Sequence, residues 1–285
     1  MNSMTAVDVS RYQEKGYIVV PNVLTSEELS EIREELAGLM AEAGNVNDSN
    51  GVYDLGPSHS REKPDVRRIK TPHAVMPSVK RLISNPKMID VLTSLIGPGV
   101  RFQTSKLNIK AAGDGAAVEW HQDWAFYPHT NDDLLAVGIM LDDMTLENGP
   151  LQMLPGSHSG PVFDHHAKGF FCGAIDPVKS KLNFDQAESI TGQAGSMSFH
   201  HVRAVHGSAP NRSQHPRNFL LFQFTAVDAF PLVQSVSDLA AYDQWIVAGK
   251  PTNEPRVTAV PVRLPLPPAP GQGSIYANQS SADNL

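Results

Sequence analysis

The stretch EWHQDWAFYPH places His121 and Asp123 two residues apart among aromatic side chains. In an extended strand, side chains at i and i+2 share a face, so this spacing sets an imidazole nitrogen beside a carboxylate oxygen. Those are two members of the 2-His-1-carboxylate set that holds non-haem Fe(II) and leaves three coordination positions open. Alone, His-x-Asp is a weak pattern, common in surface and structural pairs, and the chemistry requires a second histidine from another strand. The segment SFHHVRAVHGSAPNRSQHPRNFLLFQF offers His200, His201, His206 and His215. An iron site of this type works with an oxo-acid whose distal carboxylate suits the two-pronged donor of an arginine better than the point charge of a lysine. Arg217 opens an apolar strand eleven residues after His206, and Ser208, two residues after the same histidine, would add a hydroxyl on the same face.

These side chains need a rigid frame. Thr25 and Glu28 fit a capping box ahead of Leu29, Ile32, Leu36 and Leu39, which recur at helical spacing until Gly44. Asn85 before Pro86 starts a second helix, which Gly97 and Pro98 end. The polar stretch 45–66 between them has no clear period. From Val100 onward the apolar runs shorten and are separated by Gly, Pro, Asn and Asp. That predicts strands in RFQTSKLNIK, AAVEWHQD, LLAVGIMLDDM, GPLQMLPGS, SMSFHH and RNFLLFQFTAV. Many short strands joined by turns make a sandwich, jelly roll or barrel. With no internal repeat or linker, a single domain over 1–285 is expected. Its helical region would reach about residue 99, its β core about 100–230 and its C-terminal extension about 231–285. The extension contains PVRLPLPPAPGQG, which reads as an extended proline-rich arm.

Composition narrows the partners. A chain of 285 residues with 41% hydrophobic and 19% charged residues is long enough for a substantial globular core. Its formal net charge of −7 argues against nucleic acid or an anionic membrane as partner. No basic segment leads into an apolar stretch at the N-terminus and no apolar run approaches bilayer length, which points to the cytoplasm. Cys172 is the lone cysteine, so it reads as a small packing residue, with neither a disulfide nor a thiolate metal site expected. Nothing in the sequence specifies an oligomeric state.

Taken together, WHQDW, TLENGPLQMLPGSH, VHGSAPNRS, Arg217 and the earlier YQEKGYIVVPNVLTSEEL resemble the phytanoyl-CoA dioxygenase family of Fe(II)- and 2-oxoglutarate-dependent oxygenases. The resemblance implies a mainly β fold, a double-stranded β-helix of jelly-roll or cupin-like form flanked by helices. It implies His121, Asp123 and His206 as iron ligands, Arg217 and Ser208 as contacts of 2-oxoglutarate, and Asn108 in KLNIK as a further contact. Where relatives often carry a glutamine four residues before that asparagine, this chain has Thr104, and Gln103 would face the other side. The implied reaction consumes O2 and 2-oxoglutarate, releases succinate and CO2, and hydroxylates or otherwise oxidises an unactivated C–H bond of a small molecule. The intact Asp123 favours hydroxylation, desaturation or ring closure over halogenation, for which related enzymes replace the carboxylate by a small residue. Members acting on amino acids, ectoine-like osmolytes and secondary metabolites are better guides to the substrate than the acyl-CoA of the family's name.

Trp124, Phe126 and Tyr127 are candidates to line a substrate pocket, while Trp120 is expected to pack outward. The run SREKPDVRRIK, 60–70, carries five basic residues against two acidic ones. As a loop ahead of the barrel it would either close on a substrate anion through Arg68 or remain a solvated charged surface. Gly149 and the Pro155-Gly156 pair should shape turns, His158 is a family marker without a ligand role, and His165 and His166 fall in a segment expected to be an exposed loop. Two other classes compete. A metal-dependent hydrolase built on the same three ligands would not need Arg217. A non-catalytic metal-binding β-barrel would be expected to have lost a ligand or the arginine, and this chain has lost neither.

Overall fold

A computed structural model of the chain describes residues 5–113 and 115–269. The first two helices both begin at capping boxes: Thr5 with Asp8 for α1 (Ala6–Lys15), and Thr25 with Glu28 for α2 (Ser26–Ala43). Both α3 (Pro77–Leu82) and α4 (Pro86–Ile96) carry proline in the first turn, where its missing N–H costs nothing. In α4 the Asn85 side chain accepts the Met88 N–H, as the sequence signal predicts. No helix among the described residues is long and apolar enough to cross a membrane.

The strands are β1 (Tyr17–Val20), β2 (Tyr53–Leu55), β3 (Val66–Lys70), β4 (Val100–Lys110), β5 (Val118–His121), β6 (Leu134–Met140) and β7 (Leu151–Met153). They continue with β8 (His166–Ala167), β9 (Phe170–Phe171), β10 (Glu188–Ile190), β11 (Met197–His201), β12 (His206–Ser208), β13 (Arg217–Ala226) and β14 (Ile246–Ala248). An eight-stranded sheet runs β1-β11-β6-β13-β4-β3-β2 with β14 also on β4, and a four-stranded sheet runs β10-β7-β12-β5. Between β4 and β13 the chain passes repeatedly from one sheet to the other, which is the winding of a double-stranded β-helix.

Alternation along the large sheet decides what faces the site. Leu107 and Ile109 of β4, Val137 and Ile139 of β6, Phe199 of β11 and Leu220 and Phe222 of β13 share one core with Ile32, Leu36, Met88 and Leu92 of the helices. Burial of that face is the main stabilising contribution, at about 25 cal/mol per Å2 of apolar surface. The intervening residues, among them Lys106, Asn108, Lys110, His200 and Arg217, therefore point to the other face of the sheet.

Three expectations need correction. The region before residue 100 is not only helical, because β1, β2 and β3 extend the large sheet. The basic run 60–70 is not a loop throughout: Val66–Lys70 is strand β3, paired with β4 as Arg68↔Asn108. The extension after 230 contributes β14 to the same sheet. The proline-rich arm lies against the barrel, with Pro261 O accepting the Trp124 indole N–H and Pro267 O the Phe171 N–H. Residues 270–285, the end of that arm and the polar tail, lie outside the described residues.

Candidate active site

Strand β5 ends on His121, and Asp123 begins a short 3-10 turn, Asp123–Ala125. The two side chains are thus not i and i+2 of one continuous strand. The turn still brings the Asp123 carboxylate to 3.9 Å from His121 Nε2. His206 opens β12 directly opposite His121, with ring centroids 4.1 Å apart. One ligand atom from each of His121, Asp123 and His206 lies within 4.8 Å of the others.

Gln122, between the two ligand candidates, holds the turn in place. Its carboxamide donates to Pro161 O and Arg203 O and accepts the Phe163 N–H, while its backbone N–H donates to His165 Nε2 at 2.9 Å. His165 is therefore buried, contrary to the exposed-loop expectation, because the otherwise unsatisfied Gln122 N–H needs an acceptor there. His166 is also partly covered, through bonds to Asp164 and Leu266 O.

The electrostatics suit a divalent cation. Nδ1–H of His121 donates to Glu119 O at 2.7 Å and Nδ1–H of His206 to Ala204 O at 2.9 Å, which leaves the Nε2 lone pair of each ring as the available donor. Burial lowers His121 to about 4 against the pull of Asp123, and holds His206 well below the usual imidazole range, so both rings are neutral near pH 7. Burial by itself would raise Asp123. The His200 imidazole, 3.5 Å from the carboxylate, together with the basic Lys106 side chain, outweighs it and holds Asp123 well below the usual carboxylate range, so the carboxylate is anionic. Two neutral nitrogens and one anionic oxygen fit Fe(II) with three positions free.

The other histidines fall elsewhere. His200 is buried behind the carboxylate, its Nε2 at 3.5 Å from Asp123 Oδ2. His201 accepts the Arg203 N–H and lies near Asp132, and His215 is exposed. His158 donates from Nε2 to Gln13 O, tying its turn to α1.

A narrow cavity beside the two ligand histidines is lined by Asn108, Lys110, Ser208 and Arg217. Arg217 is 2% exposed and donates to Gly149 O at 2.6 Å. Asn108 Oδ1 is buried without a hydrogen-bond partner among the described residues. Lys110 donates to Ala209 O, and burial, reinforced by Arg217, pushes its amine down to about 6. A buried guanidinium with amide, hydroxyl and amine groups on one wall fits a dicarboxylate. Lys110 went unread in the sequence, although Lys106, Asn108 and Lys110 alternate onto one face of KLNIK.

A second cavity of about 250 Å3 opens on the Asp123 side, with Arg68, Thr104, Lys106, Phe126, Tyr127 and Gln223 in its walls. Its size suits a small substrate, below the roughly 300–1,000 Å3 of drug-sized pockets. Burial and the Asp123 carboxylate keep the Tyr127 phenol protonated. Trp124 does not line this cavity: it packs with Leu134, Val202 and Ala226, because the turn at Asp123 rotates its indole away from the ligands. Trp120 packs outward on Phe184, with centroids 4.7 Å apart. Gln103 faces away as expected, bonded to Thr225 and Tyr242.

The family model for phytanoyl-CoA dioxygenase matches residues 12–219. A "probable alpha-ketoglutarate-dependent hypophosphite dioxygenase" of Stutzerimonas stutzeri is 38% identical over 272 residues, 93% of each chain. The L-proline trans-4-hydroxylase of Streptomyces griseoviridis is 29% identical over 241 residues, 78% of this chain and 86% of the hydroxylase. The crystal structure of EctD from S. alaskensis with bound Fe shares the fold, with a TM-score of 0.68 at 22% identity over 92% of this chain and 89% of that one.

Proposed function

Since this chain belongs to the phytanoyl-CoA dioxygenase family, we propose that His121, Asp123 and His206 hold its iron and that Arg217, Lys110, Asn108 and Ser208 hold its 2-oxoglutarate. Fe(II), 2-oxoglutarate and O2 are the cofactors of this enzyme, which oxidises a small substrate. The observation that carries the residue assignment is the His121–His206 cross-strand pair beside Asp123, with the Arg217 cavity adjoining it. That adjoining cavity also favours an oxygenase over a hydrolase or a non-catalytic metal-binding barrel, neither of which needs a buried arginine there.

Bound iron with 2-oxoglutarate supplies the oxidising chemistry, the cosubstrate leaving as succinate and CO2. The protein's part is positioning. Glu119 O and Ala204 O orient the two imidazoles through their Nδ1–H groups, and His200 supports the Asp123 carboxylate. Arg217 fixes the distal carboxylate of 2-oxoglutarate by paired hydrogen bonds, with Ser208 as a hydroxyl donor and Lys110 as an amine that takes up a proton beside the dianion. Phe126 and Tyr127 wall the substrate cavity and exclude water from it.

For the substrate, hypophosphite is the first candidate, since the relative that is 38% identical bears that activity in its name. Its oxidation to phosphite places one oxygen atom of O2 in a P–H bond and the other in succinate. Oxidation of a C–H bond in an amino acid is the second reading, favoured by the proline hydroxylase relative. The same reading has one oxygenase domain working in the cytoplasm without a nucleic-acid partner. The test is succinate release with hypophosphite, L-proline or ectoine. The first should stimulate it, with phosphite formed in step, and stimulation by L-proline alone would select the second reading.

A further inference from the structure

Lys106 is a basic side chain with no hydrogen-bond or ion-pair partner among the described residues. On the same face of β4, Lys110 donates to Ala209 O and Asn108 opens on the narrow cavity. Lys106 makes no hydrogen bond or ion pair with any described residue, and it borders both cavities. An ammonium held largely out of water and unpaired is unfavourable, which lowers the Lys106 amine from its ordinary value, and an anion arriving from solution beside it would offset that cost. The narrow cavity already has Arg217 and Lys110 for a distal carboxylate. The larger cavity has one other cation in its wall, Arg68, which β3 sets opposite Asn108 of β4. Arg68 gives one nitrogen to Asp54 at 3.0 Å, and its Nε is buried without a hydrogen-bond partner among the described residues.

Asp123 adds a constraint, because its carboxylate forms part of the same wall. A second anion beside it would be repelled unless cations offset the repulsion, and Lys106 lies close enough to feel both Asp123 and Arg68. Thr104 and Gln223, cross-strand partners on β4 and β13, add a hydroxyl and a carboxamide to that wall. Phe126 and Leu221 make the rest apolar.

We propose that Lys106 and Arg68 together hold the anionic group of the substrate, which makes this oxygenase selective for a small, compact anion. The inference rests on the reading of the neighbouring site as the Fe(II) and 2-oxoglutarate centre. A zwitterion of the proline or ectoine kind would meet two cations where its own cation must go.

The test uses wild-type, Lys106→Met and Lys106→Arg proteins loaded anaerobically with Fe(II) and 2-oxoglutarate. Each is titrated with hypophosphite, inorganic phosphite, L-proline and ectoine while the visible absorption of the complex is followed. The wild type should respond to an anion and not to the zwitterions. Lys106→Met should weaken that response at least about tenfold while leaving 2-oxoglutarate affinity within about twofold, and Lys106→Arg should recover most of the loss. A Lys106→Met protein that binds the anion as the wild type does, or that loses 2-oxoglutarate affinity instead, overturns the inference. So does a wild-type complex that responds only to zwitterions or to none of the four. A wild type that gives no visible absorption with Fe(II) and 2-oxoglutarate contradicts the site reading itself, a result separable from the others.

Discussion

His121 and His206 are direct cross-strand partners, the last residue of β5 facing the first of β12, with ring centroids 4.1 Å apart. Both histidine ligands of the proposed centre are therefore set by one antiparallel register, and the third ligand, Asp123, by the turn that follows. His206→Ala should abolish turnover and sharply weaken iron binding. His201→Ala and His215→Ala should retain iron. His200→Ala, which removes the support behind Asp123, should cost about 10–100-fold in metal affinity. Wild-type turnover in His206→Ala, with loss in His201→Ala, would show the third ligand to be misassigned.

Arg217→Ala should raise the 2-oxoglutarate requirement by about two orders of magnitude, on the scale of 2–5 kcal/mol for a truncated buried charge pair. Arg217→Lys should fall between, since an ammonium keeps the charge and loses the paired geometry. Iron affinity measured without cosubstrate should change little. An unchanged 2-oxoglutarate dependence in Arg217→Ala would remove this residue from the site.

Lys110 gives a pH signature. Burial lowers its amine from 10.5 to about 6, so near pH 8 it is mostly neutral before cosubstrate binds. The unfolded chain binds the extra proton between those values, so this residue's contribution to stability rises with pH across that window. A dianion beside it favours the ammonium, so 2-oxoglutarate binding should take up close to one proton near pH 8 and weaken as pH rises further. Anaerobic calorimetry of the Fe(II) protein in buffers of different ionisation enthalpy measures the uptake. Lys110→Met should abolish it, and no uptake in the wild type would contradict the assignment.

Trp124 and Phe126, two residues apart, should separate stability from substrate binding. Trp124→Ala empties a packed site and loses the bond to Pro261 O, so it should destabilise by about 3–5 kcal/mol in urea unfolding and leave substrate KM nearly unchanged. Phe126→Ala opens the cavity wall and should raise substrate KM at a smaller cost in stability. The reverse pattern would mean that Trp124 contacts substrate.

What the sequence made legible follows from signal length. α2 and α4 have caps and a sustained helical period, and β4, β6 and β13 are seven to eleven residues long. β2, β10 and β12 have three residues each, too few for a period, and in VRRIK only Val66 and Ile69 are buried while Arg68 between them pairs with Asp54 and Asn108 across strands. His165 looks exposed until the Gln122 N–H is known to need an acceptor, which is a tertiary fact. The ligand and cosubstrate candidates could be read because the chemistry demands those residue types, and Lys106 and Lys110 could have been read from the alternation that singled out Asn108.

The most direct measurement of the central claim is the anaerobic addition of 2-oxoglutarate to the Fe(II)-loaded protein, followed by visible absorption. The wild type should develop the weak charge-transfer band of a chelated complex, His121→Ala and His206→Ala should not, and Arg217→Ala should develop it only at much higher 2-oxoglutarate. Absence of the band in wild-type protein that demonstrably binds iron, or an undiminished band in His206→Ala, would contradict it.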